Sequence, residues 1–300
     1  MKKYRLYQVD SFTAEPLQGN PAGVVPDADG LTAAQMQAIA RELNNSETAF
    51  ILSPGADDHE VWIRFFTPTT EVPSCGHATI AAHYVRATER RLPSCQVIQK
   101  IGAGILPVEI IREEDDYRIV MTQGAIEFGE ALTGELRYEV VAALRLEQGD
   151  LGNRCPVQIV STGHSKVLVG IRERSVLDRL RPDPARLTAI SRRIGCNGYF
   201  VFALVDEPGG VLSHGRMFAP AIGIPEDPVT GNANGPLGAY LVKHRLVPVS
   251  GSRFAFKARQ GEAMGRPGTV DVTVEIANGR PTTVRVGGRA VIVFQSEIEL

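Results

Sequence analysis

The sequence predicts an α+β fold made of two similar halves, each a mostly antiparallel sheet wrapped around a helix. The length of 300 residues fits two domains of about 150 residues each. An internal repeat places Ile39 and Ile190 in matching segments, 151 positions apart. The short alternating strands are not evenly interspersed with helices, as a parallel βαβ fold requires.

The repeat covers two pairs of segments. The segment IARELNNSETAFIL (39–52) resembles ISRRIGCNGYFVFAL (190–204), and RFFTPTTEVPSCGHAT (64–79) resembles RMFAPAIGIPEDPVTGNAN (216–234). The second copy carries three extra residues between Pro225 and Gly231. We therefore expect the halves to superpose with Ile39 over Ile190 and Gly76 over Gly231.

Each half is predicted to contain two helices. Thr32 is a plausible N-cap for a helix over 33–43, and Asp183-Pro184 opens its counterpart. The segments GHATIAAHYVRATER and GNANGPLGAYLVKH, each led by glycine, predict a second helix in each half, rich in small apolar residues and buried.

Further local signals divide the chain. A hairpin is predicted over 104–123, with its turn at the acidic run 113–116, and a helix over 133–147 leads into the second half. The predicted halves are residues 1–124 and 125–300. The last strand, about 288–300, is a candidate to return to the first half.

The charge, the apolar segments and the cysteine spacing argue against several classes of protein. The formal charge of −2 and a pI near 6.3, with no basic run, argue against a nucleic-acid partner. No long apolar span or signal peptide is evident, so we expect no membrane association and a cytoplasmic location. The cysteines are scattered without a CxxC pair, which predicts free thiols rather than a zinc knuckle or a disulfide framework: Cys75, Cys95, Cys155 and Cys196.

Two matched helix starts predict an anion site. Gly76-His77 and Gly231-Asn232 each begin a helix, where unpaired backbone N–H groups and the helix dipole favour an anion. A duplicated fold turns equivalent loops towards one cleft, so we expect a small carboxylate metabolite to bind between the halves. The alternative is that both glycines only permit tight strand-to-helix turns.

Differences between the repeats point to chemistry. Glu47 precedes an apolar strand, whereas the equivalent residue of the second half is Gly198. A buried carboxylate there is suited to act as a general base. Asp227 lies in the three-residue insertion, so it also has no counterpart. The alternatives are that Glu47 caps a loop or pairs with an arginine, and that Asp227-Pro228 is ordinary turn chemistry.

The residue of the second half that is equivalent to Cys75 is not a cysteine. A thiol at a helix N-terminus can be activated, but the equivalent residue is Thr230, so a symmetric pair of thiols is excluded. His77 and His83 are six residues apart and point to different helix faces, so no metal site is expected from them.

Four segments together resemble the signature blocks of the PhzF-like family, which is named for phenazine biosynthesis. They are GNPAGVV (19–25), NSETAF (45–50), FFTPTTEVPSCGHAT (65–79) and EDPVTGNAN (226–234), in the family's order across nearly the whole chain. The resemblance implies a diaminopimelate-epimerase-like fold, with two pseudo-symmetric, barrel-like domains around central helices. It also implies a cytoplasmic homodimer and a cofactor-independent isomerase, with no cofactor or metal.

The resemblance also implies roles for individual residues. Glu47 would transfer the proton, with His77 and Asp227 completing the catalytic site. The substrate-binding residues would be Cys75, Gly76, Thr230, Gly231 and Asn232.

Two positions depart from the phenazine enzymes. Those enzymes usually have serine at the place of Asn232 and no cysteine at the place of Cys75, which argues against the phenazine precursor dihydrohydroxyanthranilate as the substrate. Cys75-Gly76-His77 also resembles proline racemases, with Thr230 as in hydroxyproline dehydratases. The alternatives are therefore a thiol-dependent epimerase or dehydratase of an amino or imino acid, and a non-catalytic binding protein on the same fold.

Overall fold

The chain folds into two compact α+β units. The computed structural model describes residues 2–300. The first unit is Met1–Thr122 together with Gly287–Leu300, and the second is Gln123–Val286. The α+β class predicted from the sequence is confirmed.

The first unit is a closed barrel of strands around a helix. Its strands are β1 (Lys3–Ser11), β2 (Asn20–Val25), β3 (Thr48–Leu52), β4 (Val61–Phe66), β5 (Glu71–Val72), β6 (Cys95–Ile101), β7 (Gly104–Glu113), β8 (Asp116–Thr122) and the later part of the last strand, β17 (Arg280–Glu299). They pair in the order β17, β1, β2, β3, β4, β6, β7, β8 and back to β17, with β5 added beside β4. Helix α1 (Ala33–Leu43) packs on β3 and β4, and the largely buried α2 (Gly76–Arg90) packs against β1, β2, β3, β7 and β8. The core of this unit therefore surrounds α2.

The second unit has the same kinds of parts. Its strands are β9 (Glu127–Ala131), β10 (Gln158–Ser161), β11 (Lys166–Ile171), β12 (Tyr199–Glu207), β13 (Val211–Ala219), β14 (Ile224–Asp227), β15 (Arg253–Gln260), β16 (Gly268–Ala277) and the first part of β17. Its helices are α3 (Gly134–Ala143), α4 (Ser175–Arg179), α5 (Pro184–Ile194) and α6 (Gly231–Lys243). Helix α6 is almost entirely buried and packs on β10, β11 and β16.

Strand pairing repeats between the units. Strand β2 is parallel to β3, as β11 is to β12, and β4 is parallel to β6, as β13 is to β15. The hairpins β3–β4 and β12–β13 are both antiparallel. Ile39 and Ile190 are buried at matching places in α1 and α5. This correspondence supports the internal duplication.

The structure extends the repeat to a segment that the sequence comparison did not match. The N–H of Gly23 donates to the carbonyl of Glu47, and the N–H of Val167 donates to the carbonyl of Gly198. Because Glu47 and Gly198 are equivalent, GNPAGVV (19–25) corresponds to GHSKVLV (163–169). Lys166 therefore takes the place of Ala22.

The predicted helix starts are confirmed. Thr32 caps α1 in a capping box with Gln35, and the Asp183 side chain accepts a hydrogen bond from the N–H of Arg186 at 3.0 Å. Helices α2 and α6 begin at Gly76 and Gly231. The hairpin formed by β7 and β8, with its turn at Glu114-Asp115, is confirmed as well.

The helix predicted over 133–147 is too long at its end. Helix α3 ends at Ala143 because Arg145 adopts a left-handed backbone conformation, with φ of 57°. The N–H of Leu146 then turns back to the carbonyl of Val141. None of the helices formed by residues 2–300 has the length and apolar character to span a membrane.

Candidate active site

Three predicted site residues meet in the first unit. Glu47 directly precedes β3, Cys75 is the N-cap of α2, and His77 lies in the first turn of that helix. One oxygen, sulfur or nitrogen atom from each of the three side chains lies within 4.8 Å of the others. The parallel pairing of β2 with β3 fixes the start of β3, which carries Glu47.

The Glu47 carboxylate faces the His77 imidazole. Glu47 Oε2 lies 3.4 Å from His77 Nε2, and the Glu47 side chain is 14% exposed. This oxygen is buried and has no hydrogen-bond partner among residues 2–300. The Ser46 hydroxyl lies 3.2 Å from the same ring nitrogen. Glu47 therefore pairs with a histidine and not with an arginine, and its Oε2 is available to accept a proton.

The Cys75 thiol also lies next to the His77 imidazole. Its Sγ is 3.5 Å from His77 Nδ1, and Cys75 is buried. A thiol next to an imidazole is an arrangement that activates cysteine nucleophiles. His77 thus contacts both Glu47 and Cys75, and the Cys75 sulfur also lies 4.0 Å from Nε2.

The backbone holds His77 in place. The buried Ser11 hydroxyl donates a hydrogen bond of 2.8 Å to the carbonyl of His77, and the Thr79 hydroxyl donates to the carbonyl of Cys75 at 2.7 Å. The N–H groups of Gly76 and His77 have no acceptor among the described residues, as expected for the first turn of a helix. This end of α2 can therefore receive an anion.

The other predicted residues lie in the second unit. Asp227 ends β14, and Thr230 is the N-cap of α6, followed by Gly231 and Asn232. The Thr230 hydroxyl donates to the Asp227 carboxylate. The Thr230 hydroxyl is therefore engaged by Asp227. Thr230 occupies the position at which a two-thiol enzyme would have its second cysteine.

Gln260 and Gln123 hold this second group, and the sequence reasoning missed both as functional residues. Buried Gln260 donates from Nε2 to the carbonyl of Asp227 at 2.8 Å, and its Oε1 accepts from the N–H of Thr230 at 3.1 Å. Gln123 donates to the carbonyl of Gly231 at 3.1 Å and to Asn232 Oδ1 at 3.3 Å. Gln260 ends a strand at an inward-facing position, and a polar residue there was the available signal.

The first group could also hold a metal ion. Carboxylate, thiolate and imidazole are ligands that zinc accepts, and these three side chains converge. The sequence predicted no metal site. That prediction rested on the spacing of His77 and His83, on the lack of a CxxC pair and on the family resemblance. His83 lies apart from this group, with Nε2 3.0 Å from Gln99 Oε1.

Comparison with known proteins agrees with the resemblance. The family model described as "Phenazine biosynthesis-like protein" (PhzC-PhzF) matches residues 9–296. An uncharacterized isomerase of Clostridium acetobutylicum is 57% identical over 300 residues, covering 100% of this chain and 99% of that protein. A trans-2,3-dihydro-3-hydroxyanthranilate isomerase of Pseudomonas aeruginosa is 32% identical over 287 residues, covering 95% of each.

Solved structures share the fold. A phenazine biosynthesis protein of the PhzF family from Bacillus anthracis superposes with a TM-score of 0.89 at 32% identity, with 100% of both chains covered. A probable proline racemase from Agrobacterium radiobacter shares the fold alone, with a TM-score of 0.64 at 14% identity over 99% of this chain and 93% of the other. The predicted epimerase-like fold is confirmed, and the chain belongs to the PhzC-PhzF family of phenazine biosynthesis-like proteins.

Proposed function

We propose that this protein is a cofactor-independent isomerase that moves a proton within a small carboxylate substrate, with Glu47 as the proton carrier. The observation that carries the proposal is the buried Glu47 Oε2, which has no hydrogen-bond partner in residues 2–300 and faces His77. A general base needs an oxygen within reach of the substrate that no other donor already occupies.

The proposed reaction is a shift within one molecule. Glu47 removes a proton from one carbon, the electron pair moves through an adjacent double bond, and Glu47 returns the proton to a second carbon. No electrons leave the substrate, so the step needs no external oxidant or reductant. His77 and the N–H groups at the start of α2 would stabilise the negative charge that develops, as preorganised donors do.

Asp227 would hydrogen-bond a polar group of the substrate. Its carboxylate is oriented by Thr230, and its backbone by Gln260, so its position is held before substrate arrives. That the substrate lies between the two halves stays a prediction. The cytoplasmic location and the homodimer also stay predictions.

A second candidate function rests on the thiol. Cys75 Sγ lies 3.5 Å from His77 Nδ1, so a thiolate–imidazolium pair could remove the proton instead of Glu47. This would make the protein a thiol-dependent epimerase or dehydratase of an amino or imino acid. The engaged hydroxyl of Thr230 favours the Glu47 mechanism over a symmetric two-base reaction.

The first experiment identifies a substrate. We would incubate carboxylic acids with the protein in D2O and measure deuterium uptake by mass spectrometry. The panel would begin with trans-2,3-dihydro-3-hydroxyanthranilate, the compound in the name of the Pseudomonas relative, and would include proline and hydroxyproline. A protein that binds an acid but promotes neither exchange nor isomerisation of that acid would be a binding protein and not an isomerase.

The second experiment separates the two proton carriers. On the confirmed substrate, Glu47→Gln should lower kcat by roughly 10²- to 10⁴-fold, because the amide cannot accept the proton. Cys75→Ser should lower it much less. Glu42→Gln and Cys95→Ser are matched controls, since Glu42 is exposed on α1 and Cys95 lies in β6 away from the site. If Cys75→Ser is inactive while Glu47→Gln retains most of its activity, the thiol mechanism replaces the proposed one.

A further inference from the structure

Lys166 lies in the second unit at the place that corresponds to the Glu47 site of the first. Gly198 is the counterpart of Glu47, as the matching hydrogen bonds from Gly23 and Val167 show. Lys166 directly precedes Val167 and replaces the small Ala22 of the first unit. The second unit thus lacks the carboxylate of the first and has an amine beside the equivalent position.

The Lys166 side chain fills the space over Gly198. A Cβ atom on Gly198 would lie 2.3 Å from Lys166 Cδ and 2.8 Å from Cε, both far closer than van der Waals contact. The φ of Gly198 is not in the left-handed region, so the contact with the Lys166 side chain, and not backbone strain, is what a side chain at this position would disturb.

The amine lacks an anionic partner. Its hydrogen bond goes to the neutral carbonyl of Ser165 at 3.2 Å, and Lys166 makes no ion pair with the other residues of 2–300. Burial lowers the pKa of Lys166 below its usual range, and the negative charge of Asp227 opposes this shift only in part.

A half-buried ammonium without a counter-ion is unfavourable unless a ligand supplies one. This points to an anion as the missing partner of the Lys166 amine.

We propose that Lys166 is a substrate-binding residue whose ammonium pairs with an anionic group, such as a carboxylate, of the molecule on which the enzyme acts. The proposal rests on the proposed function for the identity of that molecule as a small carboxylate. It adds to that function a specific cation, in the unit that does not carry Glu47.

Binding of anthranilate provides the test, because it is an unreactive aromatic relative of the compound in the name of the Pseudomonas enzyme. Calorimetry would compare the wild type with Lys166→Met, which keeps the length of the side chain and removes its charge. The Kd should rise about 10- to 100-fold, as for other lost charged hydrogen bonds. Gly198→Ala, which keeps the charge but displaces the stem, should also weaken binding. Lys243→Met, at the far end of α6, should have no effect.

A second measurement uses the unmodified protein. Acetylation of individual lysines would be followed by mass spectrometry with and without saturating anthranilate, which should slow acetylation at Lys166 at least about tenfold and leave exposed Lys100 unchanged. Unchanged labelling of Lys166, an unchanged Kd in Lys166→Met, or no binding by the wild type would each overturn the proposal. Glu47→Gln should bind normally, so a lack of proton exchange would contradict the proposed function without contradicting this one.

Discussion

Two glycines with nearly the same φ should differ in how much stability the protein loses when each is replaced by alanine. Gly19 has φ of 63° and Gly195 has φ of 65°. A Cβ on Gly19 would lie 2.2 Å from the backbone oxygen of Ser11, whereas a Cβ on Gly195 would meet nothing within 4 Å. Gly195→Ala should therefore cost about 1 kcal/mol for the left-handed conformation alone. Gly19→Ala should cost clearly more, because backbone must also move.

Urea unfolding of both variants would measure the difference. Gly19→Ala should reduce activity as well, because Ser11 holds the carbonyl of His77. Gly195→Ala, which caps α5, should leave kcat unchanged. Equal losses of stability in the two variants would show that the contact with Ser11 relaxes without cost.

Within helix α2, the fully buried His83 makes stability depend on pH. Burial lowers the pKa of His83 to about 4, although the hydrogen bond to Gln99 raises it, and Arg86 lowers it further. A histidine in the unfolded chain titrates near 6.5. Between these values the unfolded state binds the proton and the folded state does not. Stability should therefore fall as the pH falls from about 6.5 to 4, by at most about 3 kcal/mol.

His83→Gln tests this dependence, because glutamine can still hydrogen-bond but does not titrate. Free energies of unfolding would be measured in urea at pH 7, 6, 5 and 4.5 for both proteins. The difference between the curves isolates His83 from the carboxylates, which titrate in both. Parallel curves would mean that His83 does not remain neutral in the folded state.

At the scale of the whole molecule, strand β17 belongs to both units. Its first part, 280–286, lies in the second unit, and its later residues pair with β1 and β8 in the first. Deleting 287–300 would open the barrel of the first unit and leave two unpaired strand edges. We expect this truncated protein to lose cooperative unfolding of the first unit and to aggregate.

Circular dichroism, denaturant unfolding and light scattering would detect both effects. Deleting only 299–300 is the control, because it removes the pair between Lys3 and Glu299 and the terminal pair between Lys2 and Leu300. That protein should remain close to the full chain in stability. A soluble protein lacking 287–300 with an unchanged unfolding midpoint would contradict the structural role of β17.

Much of the secondary structure could be predicted from the sequence because its signals act over a few residues. The N-cap side chains of Thr32 and Asp183 each accept a hydrogen bond from the backbone N–H group three residues later. The starts of α2 and α6 follow from Gly76 and Gly231. The end of α3 could not be predicted, because it depends on a left-handed turn at Arg145 with no glycine to mark it.

The candidate site, too, could be predicted from the sequence only in part. By itself the sequence determined the α+β class and the duplication, and comparison of the two copies singled out Glu47, Cys75 and Asp227 as candidates. His77 was predicted as a catalytic residue from the family resemblance. Only the tertiary structure decided that Glu47 and Cys75 meet around the His77 imidazole, that Gln260 holds Asp227, and that Lys166 covers Gly198. Cys75 and His77 are only two positions apart, but the other contacts join residues 30 to 33 positions apart, so they depend on strand pairing and packing, which no local pattern encodes.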